Sequence, residues 1–191
     1  MGLTKPIEQI FIMFSRYIYV SKRYYTREEN MMDNSNLDFT LVTISSSLME
    51  RQAADKILAC NEDTKKYGLI LNEQQALALA QTRTNVLKEN KRIEFNSGIV
   101  DKLISAFCDS SYISEDNYED TLHELISLFY DLKNNTWDIV SDCDLIEFMK
   151  NAFNSRCYGS LELLSGEALR LSEHIHCGGT IKTFKLKELT I

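Results

Sequence analysis

The three histidines and five cysteines of this chain are its best candidates for metal binding or nucleophilic chemistry, and two histidines share one spacing. Asp120-x-x-His123 and Glu173-x-x-His176 each set a carboxylate three residues before an imidazole. Helices of di-metal carboxylate bundles present ligands in this way, with every ligand facing the interior. Around His123 the apolar seam is Tyr118, Leu122, Leu125, Phe129 and Leu132. At about 3.6 residues per turn, Asp120 lies roughly 160° from Leu122 and His123 roughly 100° away, so neither joins the seam. Glu173 stands outward of Ile175 by the same count. The spacing therefore predicts a solvated acidic face that carries two histidines.

The run "HIHC", residues 174–177, offers two imidazoles and a thiolate to zinc, but no second Cys or His pair completes a structural zinc spacing. A helix C-terminus also favours histidine because its charge complements the dipole. Among the thiols, Cys108 precedes a helix end, where the dipole opposes a thiolate. Cys143 sits near a helix start but between Asp142 and Asp144, and Cys60 follows Ile57 and Leu58 as a small core residue. No dinucleotide fingerprint, phosphate-cradling loop or G-x-S-x-G occurs, and no cofactor is expected. The leading reading is a non-enzymatic cytoplasmic interaction or regulatory protein with an acidic surface. Its aromatic anchors would be Tyr112, Tyr130 and Trp137, since aromatic residues dominate interface energetics. A metal-binding or thiol-dependent enzyme using His123 or the His174, His176 and Cys177 cluster is the competing class. Trp137 also has a plainer reading, as cover for the edge of the core.

The elements that would position these residues are mainly helical. One proline and seven glycines leave too few turn-formers for an all-β chain. Helices are predicted over about 46–61, from Asn72, over about 97–108, from Ser114, from Ser141 and over about 160–175. Asn72 with Gln75 reads as a capping box, and Ser114, Ser141 and Ser160 read as N-caps. Ile113 with Tyr118 and Val140 with Leu145 read as hydrophobic staples. The ends, residues 37–44 and 180–189, are rich in Thr, Ile and Phe with partial alternation and predict two paired strands. The expected fold is thus a single bundle of about six helices over residues 31–191, with a small β pairing of its ends.

A net charge of −7 argues against nucleic acid or an anionic membrane surface as the main partner and leaves a protein partner, with oligomeric state open. Five cysteines without a C-x-x-C pair suit a reducing cytoplasm. The apolar stretch at residues 6–20 is broken at Arg16, short of the roughly 20 residues a membrane helix needs, and lacks the charge order of a signal peptide. "REENMM", residues 27–32, can be encoded with GGAGG just before two ATG codons, a bacterial ribosome-binding site read as protein. Residues 1–30 are accordingly expected to be an untranslated leader or a disordered extension, with the chain proper starting at Met31 or Met32. Removing residues 1–31 leaves 16 basic and 25 acidic residues.

The phrases "ILACNEDTKKYGLILNEQQA", "IEFNSGIVDKLISAFCDSSYISEDNYEDTLHELISLFYDLKNN" and "GSLELL" resemble an uncharacterised bacterial family of small helical cytoplasmic proteins, a domain of unknown function. The resemblance runs from about Leu41 to Leu171. It implies a bacterial cytoplasmic protein and assigns no catalytic residues.

Overall fold

Helix starts are where the sequence acts most locally, and the computed structural model, which describes residues 48–94 and 98–188 with side chains up to Phe184, follows them closely. Residues 48–59 are helical (α1) and a single turn, Asn61–Thr64 (α2), follows. Asn61 then pins the returning chain, its carboxamide accepting from Leu71 N–H at 2.9 Å and donating to Leu71 C=O at 2.8 Å. Helix α3, Glu73–Glu89, opens on the predicted box: Asn72 Oδ1 accepts from Gln75 N–H and Gln75 Oε1 from Asn72 N–H, both at 2.9 Å. Each such cap satisfies an orphan donor and is worth about 1 kcal/mol.

Helix α4, Val100–Phe107, buries Val100, Leu103, Ile104 and Phe107. Ser114 opens a 3-10 turn, Glu115–Asn117, which leads into α5, Tyr118–Asn135, so the expected start is right and its first turn is tighter than an α-helix. Ser141 Oγ accepts from Asp144 N–H at 3.2 Å to start α6, Asp142–Asn154. Ser160 does the same for Leu163 at 3.3 Å at the head of α7, Leu161–His176. The staple partners Ile113, Tyr118, Val140 and Leu145 are all buried.

The predicted strand at 180–189 is corrected by the structure: Ile181–Glu188 is a helix, α8. Thr180 and Thr183 cap it reciprocally, with Thr183 N–H donating to Thr180 Oγ1 at 3.2 Å and Thr180 N–H to Thr183 Oγ1 at 2.9 Å. Ile181 and Phe184, three residues apart, form the apolar side, and Phe184 meets Phe148 edge-on at 5.8 Å. The spacing is helical, and the β-branched composition misled the pattern. Among the described residues there is no strand. The partner stretch 37–44 and the boundary at residue 30 lie outside the described residues.

All the described residues belong to one compact unit, Ser47–Ile191. Its centre is α5, which packs against α3, α4, α6 and α7. Leu122, Leu125, Ile126, Phe129 and Tyr130 are fully buried on it. Helices α5 and α7 run in the same direction, because Leu161 and His123 line one depression near their first turns while His176 reaches Asn135 near their last. Among the described residues no helix is long and apolar enough to cross a membrane.

Two glycines give a paired test. Gly159 has φ +79° and a Cβ there would lie 2.5 Å from Cβ of Tyr112, whereas Gly166 sits inside α7 with nothing within 4 Å. We expect Gly159→Ala to lower stability by about 2 kcal/mol or more and Gly166→Ala to raise it by about 0.5–1 kcal/mol, read from urea midpoints.

Burial also sets a pH limit. It pushes the Tyr118 phenol up to about 12 and raises that of Tyr130 as well, helped by the Glu94 carboxylate. A raised folded-state value favours the neutral phenol, so this contribution is complete below the ordinary tyrosine value near 10 and is lost as pH rises through the folded value. Urea midpoints are therefore expected to be flat with respect to these groups from pH 7 to 9 and to fall between about 10 and 12, with two phenols lagging in a 295 nm titration.

Candidate functional site

Helix α5 ends abruptly and in an unusual way. Thr136 is buried and donates its hydroxyl to Leu132 C=O at 2.9 Å. Trp137 and Asp138 then both take left-handed backbone, with φ +52° and +58°. Neither is glycine, and each pays roughly 1–2 kcal/mol of steric cost for that conformation. Two anchors hold them: Asp138 N–H donates to Lys133 C=O at 3.1 Å, and Arg92 grips the Asp138 carboxylate with both terminal nitrogens, at 2.6 and 3.1 Å. Arg92 also donates to Asn134 Oδ1 at 2.7 Å, tying the turn to the end of α3. Asp138 in return raises the pKa of the Arg92 guanidinium.

The product of this arrangement is an outward indole. Trp137 is 65% exposed, and Ile139 beside it is 68% exposed. The ring stacks on His176 at 4.3 Å and 20°, and His176 is itself fixed by donating Nε2–H to Asn135 C=O at 2.6 Å. The reading of Trp137 as cover for the core edge does not describe this geometry, since the indole lies on the surface against another exposed ring.

The other expected anchors are placed differently. Tyr130 is fully buried, its hydroxyl donating to Glu94 Oε2 at 2.7 Å, and the expectation of a surface role for it is corrected. Phe129 and Tyr130 both face the core because α5 is enclosed over more than one apolar stripe. Tyr112 is 36% exposed, lodged on Gly159 and edge-on to Phe153 at 6.2 Å, so its neighbours differ from those of Trp137. Ile139, Leu169 and Tyr158 are exposed apolar residues that the sequence reading missed. Tyr158 carried a signal, since it precedes the turn glycine of "YGS" and itself has φ +48°.

The histidines and thiols do not come together. His174 Nε2 lies 2.9 Å from Thr183 Oγ1 and its ring packs by Phe184, while His176 serves Trp137 and Cys177 is exposed at the helix cap. Asp120 and Glu173 are exposed. Among the described residues no group of three or more His, Cys, Asp or Glu side chains could hold a metal ion. His123 is partly buried and joins α5 to α3, its Nδ1 lying 2.7 Å from Thr82 Oγ1, with Glu119 Oε1 3.8 Å from Nε2. A Thr-His-Glu relay on these atoms would need donors for an oxyanion beside Thr82. Thr82 stands in mid-helix, where backbone N–H groups are spent within the helix. Burial raises the thiol pKa of Cys60, Cys108 and Cys157, with Asp101, Asp109 and Glu167 respectively adding to it, which favours inert thiols.

Among the described residues, fold and site together define an all-α unit with an exposed Trp137–His176 stack at the end of its central helix. The chain belongs to a family of unknown function, DUF6323, whose family model matches residues 56–180. No curated protein and no solved structure matches the chain.

If backbone strain at position 137 is tolerated for the sake of the side chain, glycine should suit the backbone better than alanine. We expect Trp137→Gly to be more stable than Trp137→Ala by about 1 kcal/mol, and each to stay far above Phe129→Ala, which should lose about 3–5 kcal/mol. Guanidinium unfolding of the three variants measures both differences.

Proposed function

We propose that the protein is a non-enzymatic, cytoplasmic interaction or regulatory protein of bacterial origin, which engages a protein partner through Trp137. The observation that carries this reading is the strained, anchored turn that holds an indole 65% exposed. Strain of this kind persists only where surrounding structure over-determines it, and it collects at functional positions. Trp, with its large area and few rotatable bonds, is also among the residues most often found as an interface anchor. Ile139 and the His176 ring extend the apolar area around it, and acidic residues dominate the chain as a whole, with a net charge of −7. Tyr112 is a second, separate contact in this proposal. Tyr130 takes no part in it.

The test is affinity capture from lysate of the source cell, with the full chain as bait and proximity cross-linking from position 139. We expect one stoichiometric protein to be captured and cross-linked by the wild-type chain. Trp137→Ala should reduce its recovery at least tenfold, while His174→Ala, away from the stacked pair, leaves recovery unchanged. Equal recovery by wild type and Trp137→Ala, or no captured protein, overturns the reading.

A further inference from the structure

Two depressions on the seam between α5 and α7, of about 340 and 250 Å3, share Leu128, Asp131 and Ser165 and so make one groove. It starts at Thr82, His123 and Leu161 and ends at Asn135, Leu169 and Ser172. Its far end meets the patch described above, because Asn135 C=O accepts from His176 and the His176 ring stacks on Trp137. From position 123 to position 135 a helix rises about 18 Å. An extended peptide covers that length with about six residues.

The groove has a one-sided chemistry. Among the described residues its charged lining residues are Glu124 and Asp131, and no Lys or Arg lines it. Asp131 is an exposed residue, no cation forms an ion pair with it among the described residues, and its carboxyl pKa is raised by partial desolvation and by Glu89. Leu128, Leu161 and Leu169 supply apolar surface, and α7 contributes the small residues Ser165, Gly166 and Ala168 to the lining. A carboxylate with a like charge near it and no cation beside it gains from an incoming ammonium or guanidinium group.

Resting on the interaction reading above, we infer that the α5–α7 groove receives an extended segment of the protein partner. A Lys or Arg of that segment pairs with Asp131, and its apolar side chains cover Leu128, Leu161 and Leu169. Trp137, at the groove's end, then contacts the part of the partner that leaves it.

The probe is a synthetic eight-residue peptide of mixed Lys and Leu, with a twin in which every Lys is Glu, titrated into the 15N-labelled full chain. Amide shifts are expected to concentrate in residues 123–135 and 161–172, with the Trp137 indole signal moving as well. Asp131→Asn and Ser165→Arg should each weaken binding tenfold or more. Glu62→Gln, on the distant α2 turn, should change it less than twofold, and the Glu twin should not bind. Shifts scattered over the acidic surface, equal effects of Asp131→Asn and Glu62→Gln, binding of the Glu twin, or no binding at millimolar peptide would each overturn the groove. Urea midpoints confirm that the variants fold. The captured partner separates the two ideas: if it survives Asp131→Asn and Ser165→Arg but is lost with Trp137→Ala, the groove fails while the Trp137 interface stands.

Discussion

The enclosure of α5 is the constraint on which the rest of the structure depends. A helix that buries Leu122, Leu125, Ile126, Phe129 and Tyr130 together cannot be served by one neighbour, so α3, α4, α6 and α7 are all drawn against it. Each of these large side chains contributes roughly 1.5–3 kcal/mol on burial, against about 1 kcal/mol for a typical cap and about 0–1 kcal/mol for an exposed ion pair. Polar groups within this enclosure must be matched. Glu94 answers that need, accepting from the Tyr130 hydroxyl at 2.7 Å and lying 3.8 Å from the Arg83 guanidinium. Gly98 leaves the space for that guanidinium, since a Cβ there would come within 2.7 Å of it.

The same enclosure explains why the distinctive surface lies at the C-terminal end of α5. A central helix has its sides covered, so its ends and its one open seam are what it can offer to solvent. At the end, Thr136 is still buried, and the next residue must leave the core within a single step. Left-handed backbone accomplishes this and turns Trp137 outward, with Arg92 and Lys133 of neighbouring positions paired to Asp138 and Asp142 to hold the exit. Along the seam, α7 presents small residues to α5 and so leaves a channel where larger ones would have closed it. Fold and surface are thus consequences of one packing choice.

Much of this was legible in the sequence, and the parts that were not have physical reasons. Helix starts at Asn72, Ser141 and Ser160 rest on short-range hydrogen bonds between residues three apart, which local sequence dictates. The seam of α5 was visible as period, yet its width was not, because burial of Tyr130 depends on α3 and Glu94 arriving on a second side. Ile181–Glu188 looked like a strand because Thr and Ile favour strands when nothing else decides, whereas Thr180 and Thr183 decide by capping a helix. As for the histidines, angle alone kept His123 off the apolar seam of α5 and did not show that α3 partly covers it. Their actual partners, Thr82, Thr183 and Trp137, come from other elements and carry no sequence signal.

Trp137 marks the boundary between what local sequence specifies and what only packing reveals. "NNTWDIV" contains no glycine, so nothing in the sequence announces left-handed backbone at two successive positions. A sequence free to relax would place Gly or Asn after a helix end, where that conformation costs little. Keeping Trp and Asp there means that the side chains outweigh the backbone cost. Asp138 has a structural reason, its bidentate pair with Arg92. Trp137 stacks on the exposed ring of His176, and that contact secures no core.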